Sequence, residues 1–310
     1  KIYCLSFLFL LLLSSCIKRF EPEIKNPDAV KYIIDGQVNR GDSIQVVKVS
    51  TTSSLFKPME RPVSGCIVKI IDGKGTEYPA TDVWNGKYEA VIPENELVPG
   101  AIFKVDIQVA TGDHIVSDFD EIQDCPVLNS VYYFRKEFPT QNPFYFTKGI
   151  QFYLDFNATN ITCRNFRFDV IETWEYTATF PDYAERRVCW VTSKVRDIFV
   201  ITTKNQIQNI YTHFPLHFVD NYSSQRLRFG YSLLVSQYSL SDAAWLYWQK
   251  LKVNTDEQGG LYESQPMQIK GNMHNLTDPS RDVLGFFGAS TKNSRRIFVS
   301  NVPGLPDEFV

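Results

Sequence analysis

Between residues 30 and 123, turn-forming pairs recur at short intervals and separate stretches in which apolar and polar residues alternate. Asp72-Gly73, Asn85-Gly86, Pro99-Gly100 and Gly112-Asp113 are the punctuation, and such pairs reverse a chain tightly because glycine and asparagine tolerate left-handed backbone. The segments between them, 31–38, 43–50, 66–71, 87–92 and 102–109, are rich in Val, Ile and Tyr, and a sixth opens at Gly112-Asp113. A period of two places one row of side chains on each face of a strand, so each segment buries its apolar row only against a second layer. Short strands at this spacing predict an immunoglobulin-like or transthyretin-like β-sandwich over residues 30–124.

Asp124-Cys125-Pro126 marks a change in texture. Beyond it the predicted strands lengthen, to 127–134, 150–156, 166–180, 188–195, 198–203 and 227–237. Aromatic residues make up 14% of the chain, and here they fall on alternating faces and in places on both. That is the pattern of broad antiparallel sheets packed on one another. One helix interrupts them. Ser239 is placed to cap it, with Asp242 three residues on, and Leu240, Ala244, Trp248 and Leu251 follow at helical spacing as a core-facing stripe. The expected fold is therefore mainly β: the sandwich, then a larger antiparallel β domain over 125–310 with one main α-helix.

The first residues speak of location. Lys1 precedes an apolar run, 2–13, broken only by Ser6. The run is too short to span a bilayer, which takes ~20 apolar residues, and it has the build of a secretory signal peptide. It closes on Leu13-Ser14-Ser15-Cys16, which resembles the lipobox of bacterial lipoproteins. The resemblance implies cleavage before Cys16, a covalent lipid on its thiol and acylation of the new amine. Residues 1–15 are then the signal peptide. Residues 16–29, with Pro22 and Pro27 and no periodicity, form a lipidated tether. Lys18, Arg19, Glu21 and Glu23 partly match the Lys-plus-acid export signal of Bacteroidetes surface lipoproteins, with Arg19 and Phe20 ahead of the acids. Without residues 1–15 the balance is 31 basic against 35 acidic residues. No basic run exists to neutralise phosphate, so nucleic acid is not an expected partner.

The chain shows little chemistry. Gly-x-Ser-x-Gly, Gly-x-Gly-x-x-Gly, P-loop and His-Glu-x-x-His patterns are absent. Cys66, Cys125, Cys163 and Cys189 lack metal-type spacing and suit either disulfides in an oxidising space or small buried hydrophobes. His213 and His217 flank Pro215; an offset of four along a strand sets their Cα atoms ~13 Å apart, so one ion reaches both only if the backbone turns at the proline. Glu172 and Glu175 flank Trp174, but an offset of three sends them to opposite faces. Trp174, Tyr176, Phe180 and Tyr183 make an aromatic group suited to stacking on a sugar or peptide, or to sheet packing. Trp174, Tyr176 and Tyr183 are the candidate ligand residues. Gly73-Lys74-Gly75 is a turn, and 256–260 is an acidic loop without calcium-loop spacing. No catalytic, metal or cofactor residue is expected, and the reading is not an enzyme.

Asn85-Gly86-Lys87-Tyr88 looks like the Gly-x-Tyr strand opening of carboxypeptidase-regulatory-like modules, which serve as spacers or docking units. The segments 231–241 and 245–251, then Gln265-Pro266, Gly271-Asn272, 283–290 and 296–299, follow in order. Together with Cys189-Trp190 and the 38–50 region, this set resembles domain-of-unknown-function family 4249, lipoproteins of Bacteroidetes. The resemblance implies an accessory lipoprotein of the outer membrane, facing outward, that works with a SusC/SusD-like TonB-dependent transporter importing peptides or glycans. A surface hydrolase of the same system, or an adhesion or envelope-assembly module, are the alternatives. Acylation of Cys16 predicts that Cys16→Ser abolishes labelling by an alkyne fatty acid and releases the protein from membranes; a variant that still sediments and still takes label would refute the anchor.

Overall fold

The computed structural model describes residues 30–53, 59–140, 142, 144–178, 187–221, 225–256, 269–300 and 302. Cys16 with its tether, Phe180 and Tyr183 lie outside the described residues. The fold is mainly β, as its alternation dictates. Eight strands cover the first half of the described chain: β1 (Tyr32–Arg40), β2 (Gln45–Thr51), β3 (Arg61–Pro62), β4 (Ile67–Asp72), β5 (Glu77–Asp82), β6 (Lys87–Ala90), β7 (Ile102–Gln108) and β8 (His114–Ser117). The short β9 (Asp120–Glu121) leads to the longer β10 (Leu128–Pro139), β11 (Phe146–Asn157), β12 (Asn165–Thr177), β13 (Val188–Lys194), β14 (Phe199–Thr202), β15 (Ile210–Asp220) and β16 (Tyr231–Ser239). The helix α1 (Asp242–Asp256), β17 (Met273–Asn275) and β18 (Leu284–Val299) complete them.

Fifteen strands join one sheet whose main path runs β13-β12-β16-β18-β1-β2-β6-β5-β4-β7-β8-β17, while β10, β11 and β15 form a separate three-stranded sheet. Among the described residues every pairing is antiparallel except one. β1 lies parallel to the first half of β18, from Ile33 opposite Leu284 to Arg40 opposite Thr291. The second half of β18 runs antiparallel to β16, from Lys292 opposite Tyr238 to Val299 opposite Tyr231. The sheet is therefore mixed, which the alternation alone did not foretell, and residues Lys31–Val310 make one compact unit.

Two main cores follow from the alternating faces. Val38, Val47, Tyr88, Phe103 and Ile107 fill one, with Met273, Val283, Phe287 and Ala289 from the distant C-terminal segment. Phe152, Phe156, Phe166, Phe168, Leu233 and Val235 fill the other, with Val299 from the far end of β18. Tyr88 is fully buried, and its hydroxyl accepts the Cys66 N–H (3.0 Å) and donates to the Val63 carbonyl (2.9 Å), tying β6 to the chain before β4.

The helix starts where expected but is capped differently. Ser241 caps it, its Oγ accepting the Ala244 N–H at 3.1 Å. Ser239 is still paired within β16, opposite Phe166, and its hydroxyl is spent elsewhere: it donates to the Gln123 carbonyl (2.7 Å) and accepts the Thr291 N–H (2.9 Å). Leu240 and Ala244 are buried with Val200 and Phe286, and Trp248 packs beside them; Leu251 lies outside this cluster. Among the described residues, no helix is long and apolar enough to cross a membrane.

Gly285 opens the parallel pairing at φ +103, and a Cβ there would sit 1.8 Å from the Ile34 carbonyl oxygen. Gly75, at φ +86, has open space around it. Gly285→Ala therefore costs about 2 kcal/mol or more through strain and backbone displacement, whereas Gly75→Ala carries only the backbone term, about 1 kcal/mol. Urea unfolding midpoints of the two variants check the difference; equal losses would show that β18 does not approach β1 this closely.

Candidate functional site

The three-stranded sheet buries one face and leaves the other to water. Val131, Ile150, Phe152, Leu154 and Phe214 point into the core. Tyr132 and Phe134, one residue out of phase with Val131, fall on the opposite face. There Tyr132 stacks on Tyr153 at 5.9 Å between ring centroids, with Phe134 edge-on at 5.5 Å. The His213 ring closes the group at 5.5 Å from Tyr132 and 6.3 Å from Phe134. Further along the hairpin Phe138 meets Phe218 at 4.8 Å, and the tip carries Phe144, Tyr145 and Phe146. Exposure is high for apolar rings: Phe134 49%, Tyr145 68% and Phe144 87%.

Asp155 holds this face in shape. It accepts the His213 N–H at 2.7 Å, the Tyr132 hydroxyl at 2.9 Å and the Ser130 hydroxyl at 3.2 Å. Burial alone would raise its carboxyl, but these bonds outweigh it and leave the group below the usual carboxylate range. Tyr132 is pushed up to about 12, by burial first and then by the Asp155 charge. His213 takes left-handed backbone at φ 55, in a strand whose register with β11 slips twice. That strand lies at the sheet edge, where a proline such as Pro215 leaves no ladder bond broken.

The same irregularity separates the two histidines. His213 is exposed beside Tyr132, while the His217 ring turns inward, its Nε2 3.5 Å from Glu172 Oε2. They share no ion. Among the described residues, no group of three or more His, Cys, Asp or Glu is arranged to hold a metal.

Glu172 is only 5% exposed. Arg226 Nη1 bonds both its carboxylate oxygens at 2.7 Å, and the Tyr231 hydroxyl donates to Oε2 at 3.0 Å. Burial pushes this carboxyl up, but the His217 ring, Arg226 and Tyr231 together hold it below its ordinary value. Trp174, two residues on, packs half-buried against the core with the Arg226 guanidinium 5.9 Å from its ring. Tyr176, two further, is 43% exposed and sits opposite Cys189 on β13. Trp174 and Tyr176 thus share a face that runs from core to solvent. Glu175 belongs to the other face, its Oε2 near Gly230 and Trp190, so the two glutamates form no pair.

Cys66, Cys125 and Cys163 are buried thiols, Cys189 is half-buried, and no disulfide joins any of the four. Burial raises the thiols of Cys66, Cys125 and Cys163, which makes them poor nucleophiles. The hairpin aromatics escaped sequence reasoning as a surface, although the even spacing of Tyr132, Phe134 and Phe138 was a visible signal.

The family described as a domain of unknown function (DUF4249) matches residues 17–296 of this chain. No curated protein matches it.

The Glu172 cluster has a pH signature. A carboxyl whose folded value is depressed contributes stability above its unfolded pKa, near 4.5, and loses it as pH falls through the folded value. Glu172→Gln therefore lowers stability at pH 7 by about 1–3 kcal/mol, and the gap to the parent chain narrows as pH drops below about 4.5. Urea titrations at several pH values check this; a gap independent of pH would mean the glutamate carries no charge in the fold.

Proposed function

The chain belongs to the DUF4249 family, and from that premise we propose that it is a non-catalytic, lipid-anchored accessory subunit of a SusC/SusD-like TonB-dependent transporter, on the outward side of the outer membrane, in the uptake of peptides or glycans. The observation that carries this reading is the aromatic hairpin. Rings held rigidly on a solvent-facing sheet, at exposures an isolated domain gains nothing from, are the composition of interface hot spots. The buried carboxylate that most resembles an active-site group, Glu172, is already engaged by Arg226 and Tyr231, which fits a structural role and not acid–base turnover.

The covalent lipid on Cys16 is the only attached group in this reading. Residues 16–29 would span up to about 50 Å when extended, enough for the body to reach a neighbour in the same membrane. Tethering two partners in one membrane raises their effective concentration, to ~mM for short flexible links, so a modest aromatic patch suffices. Within this assignment residues 30–124 act as an immunoglobulin- or transthyretin-like sandwich and spacer, and residues 125–310 present the docking surface.

Tagged protein at native level, extracted in mild detergent, should co-purify with a TonB-dependent β-barrel subunit. Phe144→Ser combined with Tyr145→Ser changes the most exposed rings of the hairpin tip and should cut that recovery about tenfold with an unchanged unfolding midpoint. Repeated preparations that contain no barrel subunit would remove the proposal's support.

A further inference from the structure

A spacious cleft lies away from the aromatic hairpin, at the start of α1. It has a volume of about 600 Å³ and is lined by Ile102 and Phe119 and by polar side chains, among them Glu121, Arg164, Lys204 and Asp242. That volume is within the range of small-molecule sites, about 300–1,000 Å³, and many times the roughly 30 Å³ of one water.

Its floor is incompletely satisfied. Asn165 is 2% exposed; its amide nitrogen is spent on Asp242 Oδ1 at 2.7 Å, and its Oδ1 accepts nothing. The Nη1 of neighbouring Arg164 is buried and unpartnered as well. A buried polar group left so costs about 1–3 kcal/mol, so the lining holds one acceptor and one donor that lack partners. Beside them the first N–H groups of α1 have no carbonyl within the helix to bond. We propose that this cleft binds an uncharged, hydroxyl-rich ring compound of the pyranose sugar class.

Three features select that chemistry. The charges lining the cleft are mixed, with Arg164 and Lys204 facing Glu121, Asp242 and Asp120, so neither an anion nor a cation gains a net attraction. The anion site that a helix start would otherwise offer is already complemented, because Asp242 sits in its first turn and holds Lys204 at 2.6 Å. A hydroxyl both donates and accepts, and so suits a lining that holds both an unpartnered acceptor and an unpartnered donor. Asp120 also lines the cleft; one of its oxygens takes the Ala289 N–H at 2.8 Å, and burial pushes its carboxyl above the ordinary value. Ile102 and Phe119, both partly exposed, give the apolar C–H face of a ring a wall to pack on.

This site is independent of the docking reading and stands whether or not the hairpin binds a transporter. Saturation-transfer NMR on the full chain in detergent, with maltose, cellobiose and N-acetylglucosamine as probes at concentrations that detect a Kd of ~1 mM, tests it. Transfer to the ring protons of at least one sugar is expected. Ala243→Trp, which fills the cleft from an exposed helix position, should abolish it, and Phe119→Ser should weaken binding about tenfold. Glutamate and inorganic phosphate should not compete. Absence of transfer to all three sugars, transfer undiminished in both variants, or displacement by either charged competitor would overturn the proposal.

Discussion

One strand changes partner halfway along, and the rest of the architecture hangs on it. β18 gives its first half to β1 in parallel and its second half to β16 in antiparallel. Over residues 287–291 one edge of β18 faces β1 and the other has no strand beside it. A buried edge cannot leave its N–H groups empty, and three side chains take the place of the missing strand. Asn272 bonds both the N–H (2.9 Å) and the carbonyl (2.8 Å) of Phe287. Asp120 takes the Ala289 N–H and Ser239 the Thr291 N–H. Each surrogate comes from a different part of the chain, so this edge of β18 ties three distant segments together.

Around this seam the interior is polar. Ser290 is fully buried, accepting from Gln37 Nε2 at 2.6 Å and donating to Asn39 Oδ1 at 2.9 Å. Arg167 reaches Gln37 Oε1 at 3.1 Å while its guanidinium lies against Trp248 at 4.1 Å and Tyr238 at 4.7 Å. A buried network of this kind fixes geometry more than it adds stability, since desolvation offsets much of each interaction. It also explains why α1, with only Ala244 fully buried, is held in place: Trp248 is gripped by the arginine as much as by apolar neighbours.

What the sequence made legible follows the reach of local physics. Period-two alternation and turn pairs marked six of the early strands but not β3 or the six-residue β5, whose Pro79 and four exposed residues obscure a strand. The Asn85-Gly86 signal sits in a turn where Trp84, Asn85 and Gly86 all take positive φ. β15 was missed because Pro215 and two histidines break the pattern of a strand, and only an edge position makes them tolerable. β18 was missed as a strand because its first half, Gly-Phe-Phe-Gly-Ala-Ser, is apolar without alternation. That is how a strand buried on both faces reads, and local spacing cannot separate it from a loop. The parallel register with β1 joins residues about 250 positions apart, which no short-range signal encodes. The same limit moved the helix cap by two residues, from Ser239 to Ser241, since the demand on Ser239 comes from Gln123 and Thr291. Of the aromatics singled out in the sequence, Trp174 turned towards the core because Glu172 and Arg226 anchor that part of β12, whereas the hairpin rings remained at the surface.

That last contrast separates structure from function in this chain. The inner row of the β10–β11 hairpin is consumed by the core: Val131, Ile150, Phe152 and Leu154 are all buried. The outer row is not needed there, and yet it is organised. Asp155 draws Tyr132, Ser130 and the His213 backbone together, fixing four rings in mutual contact on a solvated face. Aromatic pairs add about 0.5–1.5 kcal/mol each, but leaving such rings in water forfeits the larger gain from burying them, of order 1.5–3 kcal/mol per side chain. A hydrogen-bonded carboxylate that keeps apolar rings ordered in the open makes physical sense when a second surface completes the burial.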